Sequence, residues 1–158
     1  QNILIIENKD TFFDIRRYRN AGGNEILGKK FDTVIYGAGK GIWKTFVDYV
    51  NGAEQYFLEE NALFYFGDLD YEGILIYEHL LELYPDQTIN IFKEAYEAML
   101  DKALKIGSSG LPDRKEKQNT NIGTVFLDAF DEMRKKQIHE ILGAGKYIPQ
   151  EILNEHDW

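Results

Sequence analysis

Leu63-Phe64-Tyr65-Phe66-Gly67-Asp68-Leu69-Asp70-Tyr71-Glu72-Gly73 decides the reading of this chain. Its bulky apolar and aromatic residues read as a buried strand, which ends at Gly67 in two aspartates one residue apart, and Gly73 opens an amphipathic helix. If the backbone stays extended through Asp68-Leu69-Asp70, the period of two sends both carboxylates to one side and turns Leu69 back to the core. The pair is then either two hard oxygen ligands facing one pocket or a turn that caps the next helix, which aspartate does without any metal.

Working outward, the same alternation recurs. Ile3-Leu4-Ile5-Ile6 is a continuous β-branched-rich run of the kind buried on both faces of a parallel sheet, and it too ends on an acid, Glu7. Asp10 or Thr11 can cap a helix carrying Phe12, Phe13, Ile15 and Tyr18, stopped at Ala21-Gly22-Gly23. Thr33 to Tyr36 reads as the next strand, followed by the turn Gly37-Ala38-Gly39-Lys40-Gly41 and a helix through Ile42, Trp43, Phe46, Val47 and Val50. After the central stretch and its helix, stopped by Pro85, come a strand at Thr88–Phe92 and a helix through Ala95, Tyr96, Met99, Leu100, Ala103 and Leu104. Four strand-helix alternations with short links imply an α/β fold with a mainly parallel, right-handed sheet of about four strands between helices.

Residues 1–106 are expected to form this core. Residues 107–120 lack apolar periodicity and read as an exposed, solvated loop, although they hold the densest basic run, Arg114, Lys115 and Lys117. Residues 121–158 are expected as a helical extension on the same domain, with a helix from about Ile122 to Lys136 that turns Val125, Phe126, Leu127, Phe130 and Met133 inward. Two shorter pieces are expected around Ile138–Leu142 and Pro149–Leu153.

The 158 residues carry 27 acidic against 18 basic side chains, a formal charge of −9. That is the wrong sign for a domain that grips nucleic acid by its own general field, so a DNA role calls for cations or a basic partner. With no cysteine, disulfides and thiolate metal sites are excluded, and any metal must be held by oxygen or histidine. No stretch reaches the roughly 18 to 20 apolar residues needed to cross a bilayer, and the start lacks a signal peptide's basic region, so a cytoplasmic protein without membrane contact is expected. The sequence opens on Gln1 with strand-like residues from Asn2, as expected of a C-terminal piece of a longer protein.

In an open parallel sheet, ligands bind beyond the carboxyl ends of the strands, where strand order reverses. Glu7 and the Asp68/Asp70 pair sit at such ends. If their strands are neighbours, the three carboxylates converge on an oxygen-rich site of the kind Mg²⁺ prefers, and a divalent cation relieves their mutual repulsion. Glu72 reads either as a further ligand or as an acid in a helix's first turn, where the dipole favours it. Lys9 and Lys40 are candidates to approach a phosphate, beside ordinary surface roles. The Gly37–Gly41 turn lacks the spacing and the Ser or Thr of a phosphate-binding Walker loop. His79, His139 and His156 have no paired ligand spacing and read as surface or core residues.

These residues also carry a resemblance. The strand ending in Glu7, the turn with Gly37 and Gly39, and Gly67-Asp68-x-Asp70-x-x-Gly73 resemble the Toprim domain of topoisomerases, primases and several nucleases. Glu7-Asn8-Lys9-Asp10-Thr11-Phe12 and Tyr65 to Gly73 are most similar to the C-terminal domain of JetD, the nuclease subunit of the bacterial Wadjet anti-plasmid system, itself related to the topoisomerase VI A subunit. The similarity covers Ile3 to about Phe92, and the helix near Ile122 and Tyr147-Ile148-Pro149-Gln150-Glu151 are similar to the ends of those proteins. The resemblance implies a Toprim-like, Rossmannoid three-layer fold, Mg²⁺ or Mn²⁺ held by Asp68 and Asp70, and a metal-ligand or general acid/base role for Glu7. It further implies cleavage of DNA phosphodiesters within a larger, homodimeric subunit that meets double-stranded DNA alongside SMC-like partners. Two rival readings are a Toprim-like module without catalysis that serves assembly or regulation, and a receiver-like phosphoacceptor domain.

Overall fold

The computed structural model describes residues 1–52 and 61–158. Its elements run β1 (Asn2–Ile6), α1 (Lys9–Asn20), β2 (Glu25–Ile26), β3 (Lys29–Lys30), β4 (Thr33–Tyr36), α2 (Ile42–Gly52), β5 (Ala62–Phe66), α3 (Tyr71–Leu83), β6 (Ile89–Ile91), α4 (Lys93–Ile106) and α5 (Glu132–Gly143). Four strands pair in parallel in the order β4-β1-β5-β6, with Ile6 opposite both Tyr36 and Phe66. From β1 the chain steps outward to β4, then crosses back over β1 to β5, so strand order reverses between β1 and β5. Right-handed crossovers place α1 on one face and α2 and α3 on the other, where α2 and α3 pack together. The expected three-layer α/β architecture is therefore present, and the two acid-bearing strands are neighbours.

Composition explains the layers. Ile3, Leu4, Ile5 and Ile6 are fully buried, as befits a central strand covered on both faces. Tyr65 and Phe66 from β5, Ile74 and Leu80 from α3, and Tyr96 and Met99 from α4 complete the core, each large side chain contributing about 1.5–3 kcal/mol on burial. A small antiparallel hairpin, β2–β3, was not anticipated in the sequence. Leu27 (φ 49°) and Gly28 (φ 77°) are both left-handed, the backbone of a tight two-residue hairpin turn, and Phe31 just beyond it packs edge-to-face on Phe64 and Phe92.

Several local expectations are corrected. The cap of α1 is Asn8, not Asp10 or Thr11: its side chain accepts the N–H groups of both. Phe13 and Leu104, on the apolar faces of their helices, are 42% and 49% exposed. The helix expected over 122–136 does not form. Glu78 accepts the N–H groups of Gly123 and Phe126, a 3₁₀ turn follows at Leu127–Ala129, and Asp131 caps a separate α5 by accepting from Arg134 N. Phe126, Leu127 and Phe130 still reach the core, whereas Val125 and Met133 face out. Ile138–Leu142 is part of α5, and Pro149 precedes a 3₁₀ turn at Gln150–Ile152.

The 107–120 stretch is no solvated loop along its whole length. Leu111 is buried, Asp113 bridges to Lys146 and Leu69 to Ile148, and Arg114 N donates to Gly145 O at 2.7 Å. Two late segments thereby return to the carboxyl ends of β1 and β5.

Candidate functional site

Glu7 is the first residue past β1, and its N–H continues the ladder by donating to Phe66 O at 2.9 Å. Its Oε2 accepts the Tyr65 hydroxyl at 3.0 Å and the Asp68 N–H at 3.3 Å. Gly67 lies directly against that carboxylate, and a Cβ there would collide with Oε2. The glycine in the motif thus lets the Glu7 carboxylate pack directly on the turn. Tyr96 supports the same turn from below, its buried hydroxyl accepting Gly67 N–H at 2.8 Å.

Beyond Gly67 the backbone stays extended as expected: Leu69 is fully buried and exchanges two hydrogen bonds with Ile148, at 2.9 and 3.2 Å. Asp68 Oδ1 accepts Gln150 N–H at 2.8 Å, and its Oδ2 stands 3.8 Å from Lys115 Nζ. Asp70 is only 2% exposed. Its Oδ1 caps α3 by accepting Gly73 N–H at 2.6 Å, and its Oδ2 accepts Gln118 Nε2 at 2.7 Å. The capping role is therefore real for Asp70. A Cβ on Gly73 would collide with Asp68 O, which accounts for the second glycine of the motif.

The electrostatics follow from this crowding. Burial, then the charges of Asp68 and Asp70, push Glu7 up to about 8, against the lowering effect of its hydrogen bonds from Tyr65 and Asp68 N–H. Burial likewise raises Asp68 to about 6, with Asp70 and Glu151 adding to it and Gln150 N–H and Lys115 opposing. Burial holds the Tyr65 and Tyr96 hydroxyls well above their usual range, so both remain neutral. For Lys115, burial works against the charge, but Asp68 and Asp70 outweigh it and keep the ammonium above its ordinary range.

Hard oxygen donors with surplus negative charge fit Mg²⁺ or Mn²⁺ in kind. Their present arrangement is a different matter. Among the described residues no three acidic or histidine side chains form a group that could hold an ion, and Asp70 has both oxygens engaged. Glu7 and Asp68 meet through the Asp68 N–H, and Asp70, whose charge acts on both, is bound through its two oxygens to Gly73 N–H of α3 and to Gln118.

Glu72 sits in the first turn of α3 and pairs with Lys40 Nζ at 2.7 Å, so two candidate residues meet each other. Lys9 is exposed at the start of α1, with no ion pair among the described residues. His79 contacts Glu82 at 3.0 Å and the Trp43 ring edge-on, and His139 and His156 lie away from the acids, in α5 and the C-terminal tail. Tyr71 packs on the core beneath the Arg114 guanidinium, 5.4 Å from its ring centre.

Sequence reasoning missed Tyr65, Tyr96, Lys115, Gln118 and Gln150 as site residues. Gln150 is fully buried and ties three segments, its Oε1 accepting Asn8 N–H at 2.8 Å and its Nε2 donating to Phe66 O at 3.0 Å. The only signals were a polar-tipped tyrosine inside an apolar run and a glutamine between Pro149 and Glu151.

The family described as the C-terminal part of the Wadjet protein JetD matches residues 1–92, the stretch that contains all four sheet strands, Glu7, Asp68 and Asp70. No curated protein and no solved structure matches the chain. With more than half of its residues matched, the chain belongs to the JetD C-terminal family of the Wadjet proteins.

Proposed function

We propose that this chain is the Toprim-like catalytic domain of a JetD-type subunit, cutting DNA phosphodiester bonds with Mg²⁺ or Mn²⁺ inside a cytoplasmic, SMC-type anti-plasmid complex. The observation that carries the reading is the pair Glu7 and Asp68, with Asp70 behind it, on adjacent strands where sheet order reverses, within the family-matched region.

Asp68 and Asp70 are the residues to hold the cation, with Glu7 beside them. When bound, the cation supplies charge stabilisation at the phosphodiester and at its leaving oxygen. Glu7 is the carboxyl placed to move a proton at the reacting groups. Tyr65 and the Asp68 N–H fix its Oε2, leaving Oε1, which accepts no hydrogen bond among the described residues, to face the reacting groups. With a net charge of −9, the domain contributes chemistry while the rest of a homodimeric subunit and its partners grip the double-stranded DNA.

One observation favours the second reading, an inactive assembly or regulatory module: Asp70 has both oxygens engaged within the protein. Circular-plasmid cleavage by the full-length protein in its complex separates the two. Cleavage that needs Mg²⁺ and vanishes with Asp68→Asn supports the nuclease. Cleavage unchanged by that substitution, or none with the wild type, rejects it.

A further inference from the structure

Residues 113–118 cross the acidic site and engage it at two points. Gln118 donates to the buried Asp70 Oδ2 at 2.7 Å, and Lys115 stands 3.8 Å from Asp68 Oδ2. The start of the segment is firmly anchored: Arg114 N–H donates to Gly145 O at 2.7 Å, and the Asp113 carboxylate accepts Lys146 Nζ at 2.6 Å. Past Arg114 the anchoring changes character. Glu116 and Lys117 form a tight turn in which Lys117 takes the left-handed position at φ 62°, and among the described residues no backbone N–H from Lys115 to Gln118 is bonded to a carbonyl outside this segment. Gln118 is half-buried, and its Oε1 atom is covered with no hydrogen-bond partner among the described residues, an acceptor that release would return to water. The same segment lines a cavity of about 760 Å³ that Lys40 and Glu72 also line, so there is open space beside it.

These features describe a segment held down by what it does to the carboxylates rather than by its own backbone. An amide donor on one aspartate and an ammonium beside the other supply, from within the chain, the positive ends that a divalent cation would otherwise supply. We propose that residues 115–118 are a latch: Gln118 and Lys115 occupy Asp70 and Asp68 in place of a divalent cation, and the cation binds when the latch is released. This rests on the cation reading of the same site, and it is consistent with the absence, among the described residues, of an assembled three-acid group.

The test is calorimetric titration of MnCl₂ into this chain and its Gln118→Ala and Lys115→Ala variants, with circular dichroism melts to establish folding and hydrogen exchange over 115–118 as a second readout. The latch requires Gln118→Ala to bind Mn²⁺ at least threefold tighter than wild type. It also requires exchange at 115–118 to quicken in that variant without metal and in wild type with Mn²⁺. Gln118→Ala is decisive, because it changes no charge; Lys115→Ala would gain affinity from simple electrostatics as well. Wild-type binding with equal or weaker affinity in Gln118→Ala overturns the latch while leaving the cation site standing, and weaker binding would make Gln118 a ligand. Absence of Mn²⁺ binding in every variant overturns the cation site and the latch together.

Discussion

Replacing Glu7 with glutamine should remove most of the pH dependence of this chain's stability above pH 5. Burial and the neighbouring aspartates raise the Glu7 carboxyl from 4.5 to about 8, so the folded protein keeps a proton that the unfolded chain has released. Stability is therefore highest below about pH 4.5 for this group and falls as pH climbs towards 8, the sign expected when the unfolded state binds fewer protons. At about 1.36 kcal/mol per pH unit, the full shift corresponds to ~5 kcal/mol, and local relaxation and water entry bring the expected loss to roughly 2–5 kcal/mol. Asp68, raised from 3.8 to about 6, adds a smaller decline over that lower range. Glutamine keeps an oxygen to accept from Tyr65 and Asp68 N–H but cannot ionise. Urea unfolding followed by circular dichroism in EDTA, from pH 5 to pH 9, should show wild type and Glu7→Gln nearly equal at pH 5. At pH 8.5 the variant should be more stable by about 2–5 kcal/mol. Parallel curves, or a wild type that gains stability towards pH 9, would refute the crowded-carboxylate account.

Gly67→Ala drives a methyl group into Glu7 Oε2 and should cost about 1–3 kcal/mol, measured by the same unfolding assay; a neutral result would mean that Glu7 is not packed on Gly67. Gln150→Ala strands the part-buried Asn8 N–H and removes one of the two donors to Phe66 C=O, which keeps Glu7 N–H, and should cost about 1–3 kcal/mol, whereas Glu151→Ala, on an exposed side chain, should cost far less. Asp70→Asn keeps an acceptor for Gly73 N–H and should leave the melting temperature close to wild type, while Asp70→Ala loses the cap at about 1 kcal/mol. Equal stability losses in the two Asp70 variants would show that the cap contributes nothing.

The fold was legible because its signal is periodicity and punctuation. Ile3–Ile6 and Leu63–Phe66 could hardly be anything but buried strands, and Gly22-Gly23 and Pro85 stop helices for reasons of backbone geometry alone. The acids were legible for the same reason, each being the first polar group after an apolar run. What stayed hidden depends on contacts distant in sequence. Asn8 outcompetes Asp10 and Thr11 for the cap because its side chain reaches two N–H groups at once. The expected 122–136 helix loses to Glu78, a carboxylate more than 40 residues earlier that claims Gly123 and Phe126 N–H. Lys115, Gln118 and Gln150 reach the acids only because Ile148 and Asp113 set two late segments beside β5, a pairing with no local sequence pattern.

The most direct test of the central claim is a Mn²⁺ titration, by calorimetry, of the wild-type chain against Asp68→Asn and Asp70→Asn, which keep side-chain shape while removing charge. A site built on these carboxylates predicts a saturable wild-type isotherm that weakens at least tenfold in either variant, with melting temperatures near wild type in the absence of metal. Binding that is unchanged in both variants, or no binding to the wild type, would contradict the account.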